Sequence, residues 1–267
     1  MTRHTGLYVS VALAFALAAV DGVYLSSAQL RVAGGRSADT QAPGPAGWRQ
    51  EFTFVRAVYT GLGPWGYYKG WYTDWPKADL QFMLGVERLT NISAAEQPRT
   101  LQLTDPELFN FPFLYAVEVG HWNLTPEEAA SLGEYLRRGG FLFCDDFWGS
   151  WEWTNFERNM RRVLPECAIV ELPGEHPLFH SYYDIEQLVQ VPNVGNALDR
   201  RITHEQDGYV PHCRGILDDD GRLMVVINWN TDLGDAWEWA DLPGYPAKYS
   251  TYAYEIGINA IVYAMSH

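Results

Sequence analysis

The sequence predicts one α/β domain built on a mainly parallel sheet, and three observations carry that expectation. The run 113–145 reads as strand, capped helix and strand with a short exit, which fits a right-handed crossover between parallel neighbours. Apolar residues make up 47% of the 267 residues and charged ones only 19%, enough for a sizeable core and too little polarity for disorder. No internal repeat and no second linker interrupts residues 51–267, so this stretch is one domain.

The elements follow in order. Phe52-Thr-Phe-Val-Arg-Ala-Val-Tyr59 is dense in β-branched and aromatic residues and reads as a strand, followed by a Gly-, Trp- and Tyr-rich loop over 60–73. Asp74 reads as the N-cap of a helix with Pro76 in its first turn and Leu80, Met83, Leu84 and Leu89 recurring at helical spacing. Arg99-Thr-Leu-Gln-Leu103 is a short strand and Phe113-Leu-Tyr-Ala-Val-Glu118 a strong one. Thr125 with Glu128 forms the capping-box pattern of a helix whose inward residues are Ala129, Leu132, Tyr135 and Leu136. That helix ends at Arg137-Arg-Gly-Gly140, with cations in the last turn and glycine beyond it.

Residues 140–145 then form a buried strand, and 154–164 an amphipathic helix with Phe156, Met160, Val163 and Leu164 on one side. Ala168-Ile-Val-Glu-Leu172 is the next strand, and the pattern loosens into loops and short helices over 173–208. A tight turn at Asp218-Asp-Asp-Gly221 precedes a strand at 223–228, and 252–265 closes the chain as an apolar helix.

Ahead of this domain, residues 6–20 carry no charge, and a small-residue ending follows at Ala28. Residues 1–28 therefore read as a signal peptide cleaved after Ala28, or as a retained inner-membrane anchor over 6–28 with Asp21 near one interface. Both readings place the domain in the periplasm. Residues 29–50, rich in Gly, Pro, Ala and polar residues, form a flexible linker. Of the three cysteines, Cys144 lies in an apolar strand and reads as a buried small hydrophobe, leaving Cys167 with Cys213 as the one pair to consider. Thirty-three acidic against 19 basic side chains give a net charge of −14 with no Lys/Arg run, which excludes nucleic acid as a partner.

Ten of the eleven tryptophans fall just past a strand's carboxyl end: Trp65, Trp71 and Trp75; Trp122; Trp148, Trp151 and Trp153; and Trp229, Trp237 and Trp239. In a parallel sheet those ends share one edge, where ligands bind in this architecture. The same loops carry Glu118, His121, Asp145, Asp146, Glu152, Asn228, Asp232 and Asp235. Stacking faces beside carboxylates suit a protein partner, a peptide or a sugar, whereas the bland reading is that the aromatics cover the sheet edge.

Catalytic signatures are sparse. The sequence has neither the Gly-x-Cys-x-Gly nor the Gly-x-Ser-x-Gly elbow, and no phosphate-loop Gly-x-x-x-x-Gly-Lys-Ser/Thr. Asp145-Asp146 at a strand end can bind a divalent metal or share a proton, or equally cap a helix and anchor a loop. His176 and His180 have the i, i+4 spacing of metal ligands, and His121 could complete a site with Asp145 or Asp146.

Four segments together resemble a known family: Trp71-Tyr-Thr-Asp-Trp-Pro-Lys-Ala-Asp79, Pro112-Phe-Leu-Tyr-Ala-Val-Glu-Val-Gly-His-Trp122, Leu136-Arg-Arg-Gly-Gly-Phe-Leu-Phe-Cys-Asp-Asp-Phe-Trp-Gly149 and Glu175-His-Pro-Leu-Phe-His-Ser-Tyr-Tyr-Asp184. They are similar to an uncharacterised bacterial domain-of-unknown-function family related in fold to class I glutamine amidotransferases. The resemblance implies a flavodoxin-like sandwich from about Phe52 to the C-terminus, and it implies no amidotransferase activity, because the nucleophilic elbow is missing. It assigns no catalytic residues. Asp74, Asp79, Glu118, His121, Asp145, Asp146, His176 and His180 stand in its motifs as candidates.

The expected function is a non-catalytic exported or membrane-anchored domain binding a protein partner through the Trp-rich edge of Trp71, Trp75, Trp122, Trp148, Trp151, Trp229 and Trp237. It would serve as an accessory periplasmic subunit of a respiratory or photosynthetic membrane complex; no cofactor is predicted, and a divalent metal stays open as an option. The alternatives are a metal-assisted hydrolase of carbohydrate or peptide using Asp145, Asp146 and His121, and a carbohydrate-binding module.

Overall fold

The computed structural model describes residues 51–62 and 70–267; the expectations for residues 1–50 and for Trp65 lie outside them. Seven strands form one sheet: β1 (Val55–Val58), β2 (Arg99–Gln102), β3 (Phe113–Val117), β4 (Phe141–Asp145), β5 (Ile169–Glu171), β6 (His212–Leu217) and β7 (Leu223–Trp229). Their order is β2-β1-β3-β4-β7-β6-β5. Pairing is parallel from β2 through β7, and β6 alone runs antiparallel, to both of its neighbours. The expected α/β domain with a mainly parallel sheet is what the chain forms.

Among the described residues five α-helices flank the sheet: α1 (Lys77–Leu89), α2 (Pro126–Arg137), α3 (Gly149–Val163), the short α4 (Leu233–Glu238) and α5 (Ala247–Ser266). Strands β3 and β4 are buried on both faces and so read as continuous apolar runs. Period-two alternation sends Phe113, Tyr115, Val117, Phe141 and Phe143 to the face covered by α1, α4 and α5. Leu114, Ala116, Leu142 and Cys144 turn to the face covered by α2 and α3. Helix α2 starts as expected, with Thr125 accepting from the Glu128 backbone N–H and the Glu128 carboxylate accepting from the Thr125 N–H.

Helix α1 corrects the sequence reading. Asp74 does not cap it through its side chain; the Asp74 carbonyl accepts from Ala78 N, and the helix proper begins after Pro76, which follows a cis peptide bond. The inward face is Ala78, Asp79, Phe82, Met83 and Val86, whereas Leu80, Leu84 and Leu89 are exposed. Aromatic partners set this rotation. The Phe82 ring lies 4.3 Å from that of Trp237, and Gly85 leaves the space that the Tyr254 ring fills.

Helix α3 begins at Gly149, five residues before the expected start, which makes Trp151 and Trp153 helical. Strand β6 and helix α4 were not anticipated. Cys144, Cys167 and Cys213 are all free thiols. Cys213 packs into the α1/α5 core and Cys167 against the α2/α3 core, on opposite faces of the sheet, so the considered pair does not form. Among the described residues no helix is long and apolar enough to cross a membrane.

Candidate functional site

The carboxyl ends of β1, β3, β4 and β7 point to one edge, and the loops leaving them bring together the chemistry of the chain. Its foundation is Arg56, a fully buried cation in β1. The Arg56 Nε donates to both carboxylate oxygens of Asp79 on α1, at 3.1 and 3.0 Å, and Nη2 donates to Asp79 as well. Nη1 donates to the carbonyls of Trp71 and Thr73, at 2.9 and 2.8 Å, and so holds the turn leading into Asp74. Burial raises the Asp79 pKa while Arg56 opposes the rise. One charged residue inside an otherwise apolar strand was the sequence signal that could have found this pair, since a buried charge demands a partner.

Asp145 is a structural anchor rather than a free acid. Its Oδ2 accepts from the Tyr115 hydroxyl at 2.9 Å and from Gly234 N at 2.8 Å, and its Oδ1 accepts from Leu233 N at 3.1 Å. These bonds fasten the start of α4 to the end of β4. Burial, reinforced by the charge of Asp146, pushes Asp145 up to about 7 against the pull of the three donors.

Around this anchor lies an acidic cluster. Asp74, Asp146 and Asp232 each offer a carboxylate oxygen within 4.8 Å of the other two, and Asp74, Asp235 and Glu238 form a second such group. Asp74 and Asp146 both adopt left-handed backbone, at φ 61° and 49°, uncommon for residues other than glycine and a recurrent feature of functional sites. Asp146 accepts from Trp148 Nε1 at 2.9 Å, and Asp232 caps α4 by accepting from Asp235 N at 2.8 Å. Asp235 accepts from Trp239 Nε1 at 3.1 Å. Burial, then the charge of neighbouring carboxylates, holds Asp74 and Asp232 well above the usual range, and burial takes Asp235 to about 7.

A second group gathers His121 between two buried carboxylates. Nδ1 lies 3.3 Å from Glu118 Oε2, and Nε2 lies 3.8 Å from Glu152 Oε1. The other Glu152 oxygen accepts from Trp148 N at 2.6 Å, and Gln206 donates to Oε1. Gly120 permits this approach, because a Cβ there would stand 2.4 Å from Glu152 Cβ. The exposed Trp151 ring lies 5.6 Å from the imidazole.

The structure therefore regroups the sequence candidates. His121 joins Glu118 and Glu152, not Asp145 or Asp146; Asp146 joins Asp74 and Asp232. His176 and His180 belong to neither group. The His176 ring accepts from Leu178 N and lies beside Tyr263, whose hydroxyl accepts from Leu223 at the amino end of β7, so this turn sits at the opposite edge of the sheet. His180 is spent on Asp184 and the Gly174 carbonyl. Glu238, Tyr245, Gly234 and Gln206 escaped the sequence reading, because each comes from a segment with no periodic or motif signal.

The aromatic edge is also redrawn. Trp122, Trp148 and Trp237 are fully buried and support the edge from beneath, so they present no surface to a partner. Trp229 is half-buried, stacked on His212 and 4.7 Å from Trp153, with Arg214 over its ring. Trp71 and Trp75 are half-buried and Trp151 is 57% exposed. Cys144, in the strand that carries Asp145, is fully buried, and burial holds its thiol well above the usual range.

A search of curated proteins finds no match to this sequence. The family model described as a domain of unknown function, DUF4159, matches residues 53–265, in keeping with the resemblance to an uncharacterised family. It spans nearly all of the described domain, and the chain belongs to the DUF4159 family.

Proposed function

We propose that this protein is a non-catalytic, exported binding domain of flavodoxin-like, amidotransferase-related fold that engages a protein partner through the carboxyl edge of its sheet. In this reading it is an accessory periplasmic subunit of a membrane complex, attached or exported through residues 6–28 and spaced by 29–50. The observation that carries the reading is that one edge brings together the exposed indole of Trp151, the half-buried indoles of Trp71 and Trp75, and the acids Asp74, Asp146, Asp232, Asp235 and Glu238. Exposed aromatics set among polar groups are the composition of protein-binding hot spots. The buried, inert Cys144 removes the nucleophile that acyl transfer on such a fold requires.

A photoreactive amino acid placed at Trp151 in the full chain, in membranes of its native host, tests this. Adducts to a discrete partner are expected from position 151 and not from Phe109, which precedes β3 at the amino edge. Adducts from Phe109 alone, or from neither position, would sink the proposal.

A second reading, a metal-assisted hydrolase, draws on the Glu118–His121–Glu152 group, whose two carboxylates and imidazole form a mixed-donor set. Hydrolysis of a glycoside or peptide substrate by the full chain, abolished by His121→Ala, would favour it over the binding role.

A further inference from the structure

We infer that Asp74, Asp146 and Asp232, with Asp235 beside them, hold a divalent cation that prefers oxygen ligands, Ca2+, in the floor of the carboxyl edge. The inference deepens the edge reading above and rests on it for the consequence that the ion organises the binding face.

The cluster of acids is one observation, and the groups aimed at it are another. Asp74 Oδ2 is buried with no hydrogen-bond partner among the described residues. So is the hydroxyl of Tyr245, a residue only 8% exposed, and the charges that act on that hydroxyl are those of Asp232, Asp235 and Asp74. A buried carboxylate oxygen of the cluster and a buried phenol under the charge of the same acids are both left unsatisfied, and each forfeits a hydrogen bond that water would have supplied unless a bound group supplies the contact. Gly234 lets the Asp74 carboxylate sit against the start of α4, since a Cβ there would stand 2.5 Å from Asp74 Oδ2 and 3.0 Å from the Tyr115 hydroxyl.

The charge balance points the same way. Arg56 is committed to Asp79, and Lys77 to Asp241 at 3.1 Å. Among the described residues these are the cations placed to act on the cluster, and neither is an ion-pair partner of Asp74, Asp146 or Asp232. Three carboxylates facing one another without a counter-ion repel strongly in a low-dielectric setting.

Donor type and spacing select the ion. The set is oxygen only, with no imidazole or thiolate, which suits a hard cation over zinc. Ligand atoms that all lie within 4.8 Å of one another fit the shell of a hard cation, and the flexible six- to eight-oxygen geometry of Ca2+ suits a set of several carboxylates, whereas Mg2+ keeps most of its waters and takes one or two.

Isothermal titration of the chelator-treated full chain with CaCl2 tests the inference, with MgCl2 as competitor and Tb3+ luminescence, sensitised by Trp148 on Asp146, as an independent readout. One Ca2+ per chain is expected, with a rise in thermal midpoint. Asp146→Asn and Asp232→Asn should each weaken Ca2+ at least about tenfold. Both should stay folded in chelator, because each removes a repelling charge and Asn can still cap α4. His121→Ala should bind Ca2+ as the parent does. Absence of heat, of midpoint shift and of Tb3+ emission in the parent overturns the site, Mg2+ binding tighter than Ca2+ overturns the choice of ion, and loss of binding in His121→Ala alone moves the ion to the other group. Ca2+ binding without adducts from position 151 would sink the interface and leave the ion site standing, and the reverse result would do the opposite.

Discussion

Gly234 lies so close to Asp74 that no side chain fits between them: a Cβ on the glycine would stand 2.5 Å from Asp74 Oδ2. The same residue donates its N–H to Asp145 at 2.8 Å, so the backbone of α4 cannot move aside without breaking the anchor to β4. Gly234→Ala therefore has to displace the Asp74 carboxylate. Overpacking of this kind costs about 1–3 kcal/mol. The expected outcome is a urea midpoint lowered by that amount together with Ca2+ affinity reduced about tenfold in titration calorimetry. Unchanged affinity would remove Asp74 from the cation site.

Among the described residues Asp79 is the only ionic partner of a guanidinium that is itself fully buried. Asp79→Asn leaves the Arg56 charge in the core with two carbonyls and no anion, and breaking a buried pair from one side costs about 3–5 kcal/mol. Replacing both partners, as Arg56→Met with Asp79→Leu, should cost less than the sum of the single changes, since no unpaired charge remains. It should not restore full stability, because the Trp71 and Thr73 carbonyls lose their donor. Urea unfolding of the four proteins decides the matter, and strict additivity would show that the two residues act independently.

How much of this was legible in the sequence varied with the range of the interactions involved. Helix α2 was legible throughout, because Thr125, Glu128 and the apolar spacing act within one element. Strands β3 and β4 were legible because burial on both faces leaves a continuous apolar run. The α1 face was misread because Leu80, Leu84 and Leu89, counted with Met83, outweigh Phe82 in a periodicity count, while the packing that decides it comes from Trp237 and Tyr254, more than 150 residues from Phe82 in sequence. The acids share one edge because strand direction alone dictates that. Their division into a His121 group and an Asp146 group depends on side-chain direction at the left-handed residues Asp74, Glu118 and Asp146, which no spacing rule encodes.

Stability in the absence of a cation should fall as pH rises. Asp145 and Asp235 are each pushed up to about 7 by burial, whereas an aspartate in the unfolded chain titrates near 3.9. The folded state thus holds protons that the unfolded state has released, and the stability associated with them is full below about pH 4 and is lost progressively towards pH 7. With a chelator present, the urea midpoint is expected to be higher at pH 5 than at pH 8. Added Ca2+ should recover much of the loss at pH 8. A midpoint that climbs from pH 5 to pH 8 in chelator would contradict the placement of these carboxyls.

Trp148 and Trp151 stand three positions apart and are expected to respond in opposite ways. Trp148 is fully buried, and its indole N–H holds Asp146 at 2.9 Å, so Trp148→Ala opens a cavity and frees a carboxylate of the cluster. Large-to-small changes of this size cost about 3–5 kcal/mol. Trp151 is 57% exposed and touches the edge chiefly through His121, so Trp151→Ala should leave the urea midpoint within about 0.5 kcal/mol of the parent. If the edge is the binding face, Trp151→Ala should nonetheless abolish partner capture by a photoreactive group placed at Trp71, while Trp148→Phe, which keeps most of the buried volume, should retain it. Capture that survives Trp151→Ala would show that the exposed indole is not part of the interface.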